Sequence, residues 1–136
     1  MRGPIFLDTS GLYALADVSD AHHLQAKSIV ASLKRSKRKI LTTNYVLVET
    51  HALLLARLGH SMARGWLRTF NAPVENCEHE DLKLAKEIIF SREDKSFSLA
   101  DAVSFVVMER LRSKEVFAFD VHFEQYGFCC VRADLS

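Results

Sequence analysis

Four carboxylates stand at two strand ends, a helix start and an early turn of an apolar helix: Asp8 and Asp120, Asp101, and Glu49. Asp8 follows Ile5-Phe6-Leu7, and Asp120 follows Val116-Phe117-Ala118-Phe119. In an open parallel sheet the strands present their C-terminal ends to one edge, where ligands bind, so both acids belong to that edge. Glu49 sits inside a segment that is apolar nearly all round, where an ionised carboxylate is costly unless paired or bound to a cation. Asp101 closes Ser98-Leu99-Ala100-Asp101, which reads as a capping box. Singly, each has a plain structural explanation: a turn residue, a helix cap, or an ion pair of Glu49 with Arg57, Arg64 or Arg68. Together, four acids repel one another unless cations hold them, and hard divalent cations take oxygen ligands. No His or Cys ligand pattern accompanies them, so the donor set suits Mg2+ or Mn2+ rather than zinc.

Around these acids, Thr9, Ser10 and Ser98 can hydrogen-bond the ligands or cap helices, and one hydroxyl can do both. His122 stands two residues after Asp120, where it is expected as a packing or hydrogen-bonding element rather than a proton carrier. His22 and His23 read as structural. Trp66 and Phe70 can stack bases but are expected in the core or at a subunit contact. Between Asp20 and Glu75 there are nine basic residues and one acid, Glu49. The densest part holds Lys34, Arg35, Lys37, Arg38 and Lys39: either a solvated helix end or a phosphate-binding rim for a polyanion.

The elements that position these groups alternate. Strands are expected at Ile5-Phe6-Leu7, Ile40-Leu41, Pro73-Val74, Val116 to Phe119 and Phe128 to Val131. Helices are expected from Thr9, from an Asp20 cap, from Thr43 or Asn44 to Leu58 with Gly59 beyond it, from Ser61 to Phe70, from Glu78 to Ser91, and from Ser98. The helix carrying Val46, Leu47, Val48, Leu53, Leu54 and Leu55 should be deeply buried. Short apolar strands between helices imply a parallel sheet covered on both faces.

The 136 residues, 49% apolar and 26% charged, fit one α/β domain spanning 1–136 without repeat or linker. Neither a signal peptide nor a membrane span is visible. Cys77, Cys129 and Cys130 form no C-x-x-C pair and read as reduced structural thiols of a cytoplasmic protein.

Phe6-Leu7-Asp8-Thr9-Ser10, Thr43-Asn44-Tyr45-Val46-Leu47-Val48-Glu49, Ser98-Leu99-Ala100-Asp101-Ala102-Val103-Ser104-Phe105 and Phe119-Asp120-Val121-His122-Phe123 together resemble a PIN domain. The resemblance runs in order along the whole chain and includes Asp20-x-x-His23-x-x-Ala26. The closing Phe119-Asp120-x-His122-Phe123-x-Gln125-x-Gly127-Phe128 is similar to the VapC-type toxins of prokaryotic toxin–antitoxin systems. It implies a three-layer α/β/α sandwich around a short, mainly parallel sheet. It also implies ribonuclease activity with Mg2+ or Mn2+ at Asp8, Glu49, Asp101 and Asp120, a small antitoxin partner in an apolar groove, and a homodimer. The expected reaction is metal-assisted phosphodiester hydrolysis leaving a 5′-phosphate and a 3′-hydroxyl. Two rivals stand beside it. An RNA-binding or partner-binding module would bind without turnover. An aspartyl-phosphate phosphatase would use Asp8 as nucleophile, but such enzymes want a second Asp two residues on, where this chain has Ser10.

Overall fold

The computed structural model describes residues 2–133; Met1 and residues 134–136, the ends of the expected domain, lie outside the described residues. Five strands, β1 (Ile5–Leu7), β2 (Ile40–Thr43), β3 (Val74–Glu75), β4 (Glu115–Phe117) and β5 (Cys129–Cys130), run in the order β3-β2-β1-β4-β5 with every neighbouring pair parallel. The central strand pairs Ile5 with Ile40 on one side and Glu115 on the other. Seven helices occupy the connections: α1 (Thr9–Ala16), α2 (His23–Ser36), α3 (Asn44–Leu58), α4 (His60–Thr69), α5 (His79–Ser91), α6 (Leu99–Arg110) and α7 (Val121–Tyr126). Helix α1 packs on α2 and α3, α3 on α4, α5 on α6, and α6 on α7. With the sheet between them, these two groups make the α/β/α sandwich.

Burial on both faces explains why β1 is apolar at every position. Phe6, Phe105, Phe117 and Phe123 are fully enclosed and make the centre of the core. Helix α6 is buried from Ala102 to Met108, and Phe105 meets Phe123 and Phe97 edge-on. At Gly11 a Cβ would overlap the Phe117 carbonyl, so the absent side chain lets the start of α1 lie against β4.

Several expectations are corrected. Helix α3 is not deeply buried: only Val46, Thr50 and Leu54 are fully enclosed, Leu53 and Leu58 are half-buried against the core, and Val48 is 68% exposed while Tyr45 and Leu55 also meet solvent. One stripe of α3 packs inward, and its remaining apolar face is open. β4 ends at Phe117 rather than Phe119, because the Phe119 N–H donates to Ser10 Oγ (2.9 Å) instead of to a strand. Asp120 therefore lies three residues beyond its strand, at the N-cap of α7, a helix not expected from the sequence. Asp20 does not cap α2; it accepts from the His22 N–H, and the helix starts at His23. The last strand is only Cys129–Cys130.

Candidate active site

Three of the acids reach their places through helix starts, and Glu49 lies in the second turn of α3. Asp8 is the N-cap of α1, and its Oδ2 accepts both the N–H (3.0 Å) and the Oγ–H (2.7 Å) of Ser10. Asp101, third residue of α6, closes the capping box: its Oδ2 accepts from the Ser98 N–H (3.1 Å), and the Asp101 N–H donates to Ser98 Oγ (3.0 Å). Asp120 Oδ1 accepts from the His122 N–H (2.9 Å). Glu49 Oε1 accepts from Thr9 Oγ1–H (2.7 Å), and that hydroxyl in turn accepts from Thr50 Oγ1 (3.1 Å). Thr9, Ser10 and Ser98 thus each touch one acid while serving helix starts.

Each of the four carboxylates uses one oxygen in this way. Among the described residues, the other oxygen of each accepts no hydrogen bond. A carboxylate with one oxygen anchored and one spare is the donor form that a hard divalent cation takes. Asp8 is 6% exposed, and its carboxyl is pushed up to about 6. Burial is the main cause, and the charges of Asp101 and Glu49 add to it against the two bonds from Ser10. Asp101, Asp120 and His122 bring one ligand atom each to within 4.8 Å of one another.

Glu49 stands on the exposed side of α3 and, among the described residues, makes no ion pair, so neither burial nor a basic partner explains it. Arg57 instead lies over the Tyr13 ring at 5.0 Å. The group that the sequence undervalued is His122. Its Nδ1 lies 2.8 Å from Asp101 Oδ2 and 3.3 Å from Asp120 Oδ1. Its spacing of two from an N-cap acid, on the same helical turn, was the available signal. His22 stacks flat on Phe119 (4.5 Å) and His23 Nδ1 bonds the Ala14 carbonyl (2.9 Å). Trp66 and Phe70 stack on each other against the core.

The basic run lies elsewhere. Lys34 and Arg35 are in the last turn of α2, and Lys37 caps it in the left-handed region (φ 56°). Arg38 is committed to the Gly3 carbonyl (2.9 Å) and Glu115 Oε1 (2.8 Å). Gly3 precedes β1 and Glu115 opens β4, so the run is at the N-terminal edge of the sheet, opposite the acids.

Comparison with known proteins identifies the family. The PIN domain family matches residues 5–128. The chain is 35% identical over 133 residues to the 23S rRNA-specific endonuclease VapC20 of Mycobacterium tuberculosis (strain CDC 1551 / Oshkosh), covering 96% of this chain and 99% of that protein. It is 27% identical over 121 residues to a VapC ribonuclease of Archaeoglobus fulgidus, covering 86% and 77%. The crystal structure of M. tuberculosis VapC20, described as a Sarcin-Ricin loop cleaving toxin, superposes with a TM-score of 0.84 at 36% identity, covering 94% of this chain and 98% of that one. With the fold, the ordered acids and these likenesses in agreement, the chain belongs to the PIN-domain family, as a nuclease of VapC type.

Proposed function

We propose that the protein, acting as one domain over residues 1–136, is a Mg2+- or Mn2+-dependent ribonuclease and the toxin of a toxin–antitoxin pair. The observation that carries this reading is the set of four carboxylates, each tied down by one oxygen and, among the described residues, leaving its other oxygen without a protein donor. Asp8, Asp101 and Asp120 would hold one cation; Glu49 would hold a second or orient water. A bound divalent cation supplies Lewis acidity towards water and neutralises charge developing on the phosphate. Thr9, Ser10, Ser98 and the His122 N–H fix which oxygen of Glu49, Asp8, Asp101 and Asp120, respectively, stays available. Water adds to phosphorus as the bond to the 3′-oxygen breaks, and that oxygen gains a proton, leaving a 5′-phosphate and a 3′-hydroxyl.

RNA is the proposed substrate on the strength of the VapC likeness, with 23S rRNA the first to test because VapC20 is specific for it. An apolar groove of about 540 Å3 between α2 and α4, lined by Leu15, Val30, Leu33, Trp66 and Phe70 and rimmed by Lys34 and Lys37, supports an antitoxin helix as partner. The open stripe of Tyr45, Val48 and Leu55 on α3, with Met62 on α4, supports a homodimer. Among the described residues no helix is long and apolar enough to cross a membrane. We place the protein in the cytoplasm, beside its RNA.

Incubation with rRNA fragments, tRNA and mRNA under Mg2+, Mn2+ or EDTA tests the reading. Cleavage is expected with either metal and not with EDTA. Asp8→Asn and Asp101→Asn, each a near-isostere without the charge, should lower the rate by at least about 100-fold, within the range that charge stabilisation supplies. Full activity in both variants, with contaminating nuclease excluded, would end the metal-site assignment.

A further inference from the structure

We propose that His122 is a positioning residue of the metal centre, its Nδ1–H clamping the Asp101 and Asp120 carboxylates through the oxygens turned away from the cation. The inference rests on the metal-site reading above.

His122 Nδ1 approaches two carboxylate oxygens at once, Asp101 Oδ2 at 2.8 Å and Asp120 Oδ1 at 3.3 Å. Ionised carboxylates only accept, so the nitrogen between them carries the proton and donates. The two oxygens concerned are the ones already bonded to backbone, Asp101 Oδ2 by the Ser98 N–H and Asp120 Oδ1 by the His122 N–H. Asp101 Oδ1 and Asp120 Oδ2 are left for a cation. Nδ1, used as a donor in this way, has no lone pair for the ion and acts through the acids; only Nε2 keeps a lone pair, and the proposal leaves it uncoordinated.

The ring is itself held. Its backbone starts α7 immediately after Asp120, and Phe97, 7% exposed, meets the imidazole edge-on at 5.6 Å and 81°. Phe97 precedes Ser98, the cap of the helix that bears Asp101. One imidazole therefore ties the start of α6 to the start of α7, which fixes the separation of two ligands contributed by different elements. Partners of this kind set ligand orientation and commonly contribute about 10–100-fold to metal affinity.

Three variants of the full chain separate the possibilities. The Asn side-chain N–H falls near the position of Nδ1, whereas the Gln amide falls near Nε2. Mn2+ affinity is read from the electron paramagnetic resonance signal of the free ion, and melts in EDTA report folding. His122→Ala and His122→Gln should weaken Mn2+ binding by about 10–100-fold. His122→Asn should recover most of the loss, with similar EDTA melts for Asn and Gln. Electron spin-echo spectra of bound Mn2+ in the wild type should lack a directly coordinated imidazole nitrogen. Rescue by Gln and not Asn would move the role to Nε2 and overturn the proposal, as would a coordinated nitrogen or equal affinity in all variants. A wild type that binds no Mn2+ would instead refute the metal site itself.

Discussion

At Asp8, burial and hydrogen bonding pull in opposite directions. Ser10 offers two donors to one oxygen, but enclosure and the neighbouring charges of Asp101 and Glu49 win, and the carboxyl is pushed up to about 6. Ordinary Asp in an unfolded chain titrates near 3.8. Between those values the native state holds the proton that the unfolded state has released, so native binds more protons and stability falls as pH rises. Ionised Asp8 thus costs the metal-free fold about 3 kcal/mol once pH exceeds about 6, and nothing below about 3.8. Asp8→Asn keeps an oxygen for Ser10 and removes the charge. In EDTA it should be more stable than wild type by up to about 3 kcal/mol near pH 7.5, with the gap closing towards pH 4. A bound cation reverses the balance: at ~100 times its dissociation constant it stabilises wild type by ~2.7 kcal/mol and the variant much less. Denaturant melts across this pH range, with EDTA and with Mn2+, measure both. A variant less stable than wild type at every pH would show that Asp8 is only a helix cap.

Helix α6, which carries Asp101 at its first turn, is anchored at its last turn by Arg110. The guanidinium donates to both oxygens of Asp81 (3.0 and 2.8 Å) and to Glu75 (3.0 Å), linking α6 to the start of α5 and to β3. Asp81 is 2% exposed; burial raises its carboxyl, but Arg110 and the Glu78 N–H outweigh that and hold it below the usual range. Removing one partner strands a buried charge, so Arg110→Ala should cost on the order of 3 kcal/mol, and adding Asp81→Ala should return part of that. Additive losses in this double-mutant cycle would show that the pair contributes nothing as a pair. The element order, parallel sheet and most helix starts were legible because apolar runs and capping residues such as Thr43, Ser98 and Gly59 are local signals. The end of β4 was not, because a hydroxyl distant in sequence, Ser10, takes the Phe119 N–H. The exposure of α3 was misjudged for the same reason: composition reports how apolar a helix is, not how many of its faces find a partner. At the site, the types and order of the four acids were readable. The bond from Thr9 to Glu49 and the reach of His122 to Asp101 depend on tertiary placement and were not.

On the scale of the whole molecule, charge is segregated along the strand direction. Acids gather at the C-terminal edge of the sheet, and the run from Lys34 to Lys39 lies at the N-terminal edge, with its members in different roles. Lys34, Arg35, Lys37 and Lys39 are exposed, whereas Arg38 is half-buried and braces Gly3 and Glu115 between β1 and β4. We propose the exposed four as distant phosphate-binding groups for RNA long enough to extend past the active-site edge. Clustered cations of this kind attract polyanions without reading sequence. Replacing Lys37 and Lys39 by Ser should then weaken binding of a long RNA and lower the slope of log affinity against log salt by about 0.7 for each phosphate that is no longer neutralised. Cleavage of a short oligonucleotide that reaches only the acids should keep its wild-type rate. Arg38→Ser belongs to a different class: it should lower the melting temperature by leaving Glu115, among the described residues, with only the exposed Arg2, and change the salt slope little. Binding isotherms over a salt series with long and short RNA, beside melts of each variant, separate the two effects. An unchanged slope in the Lys37→Ser, Lys39→Ser protein would make the run a solvated helix end, and the strand's path would then have to follow Arg57, Arg64 and Arg68 on α3 and α4.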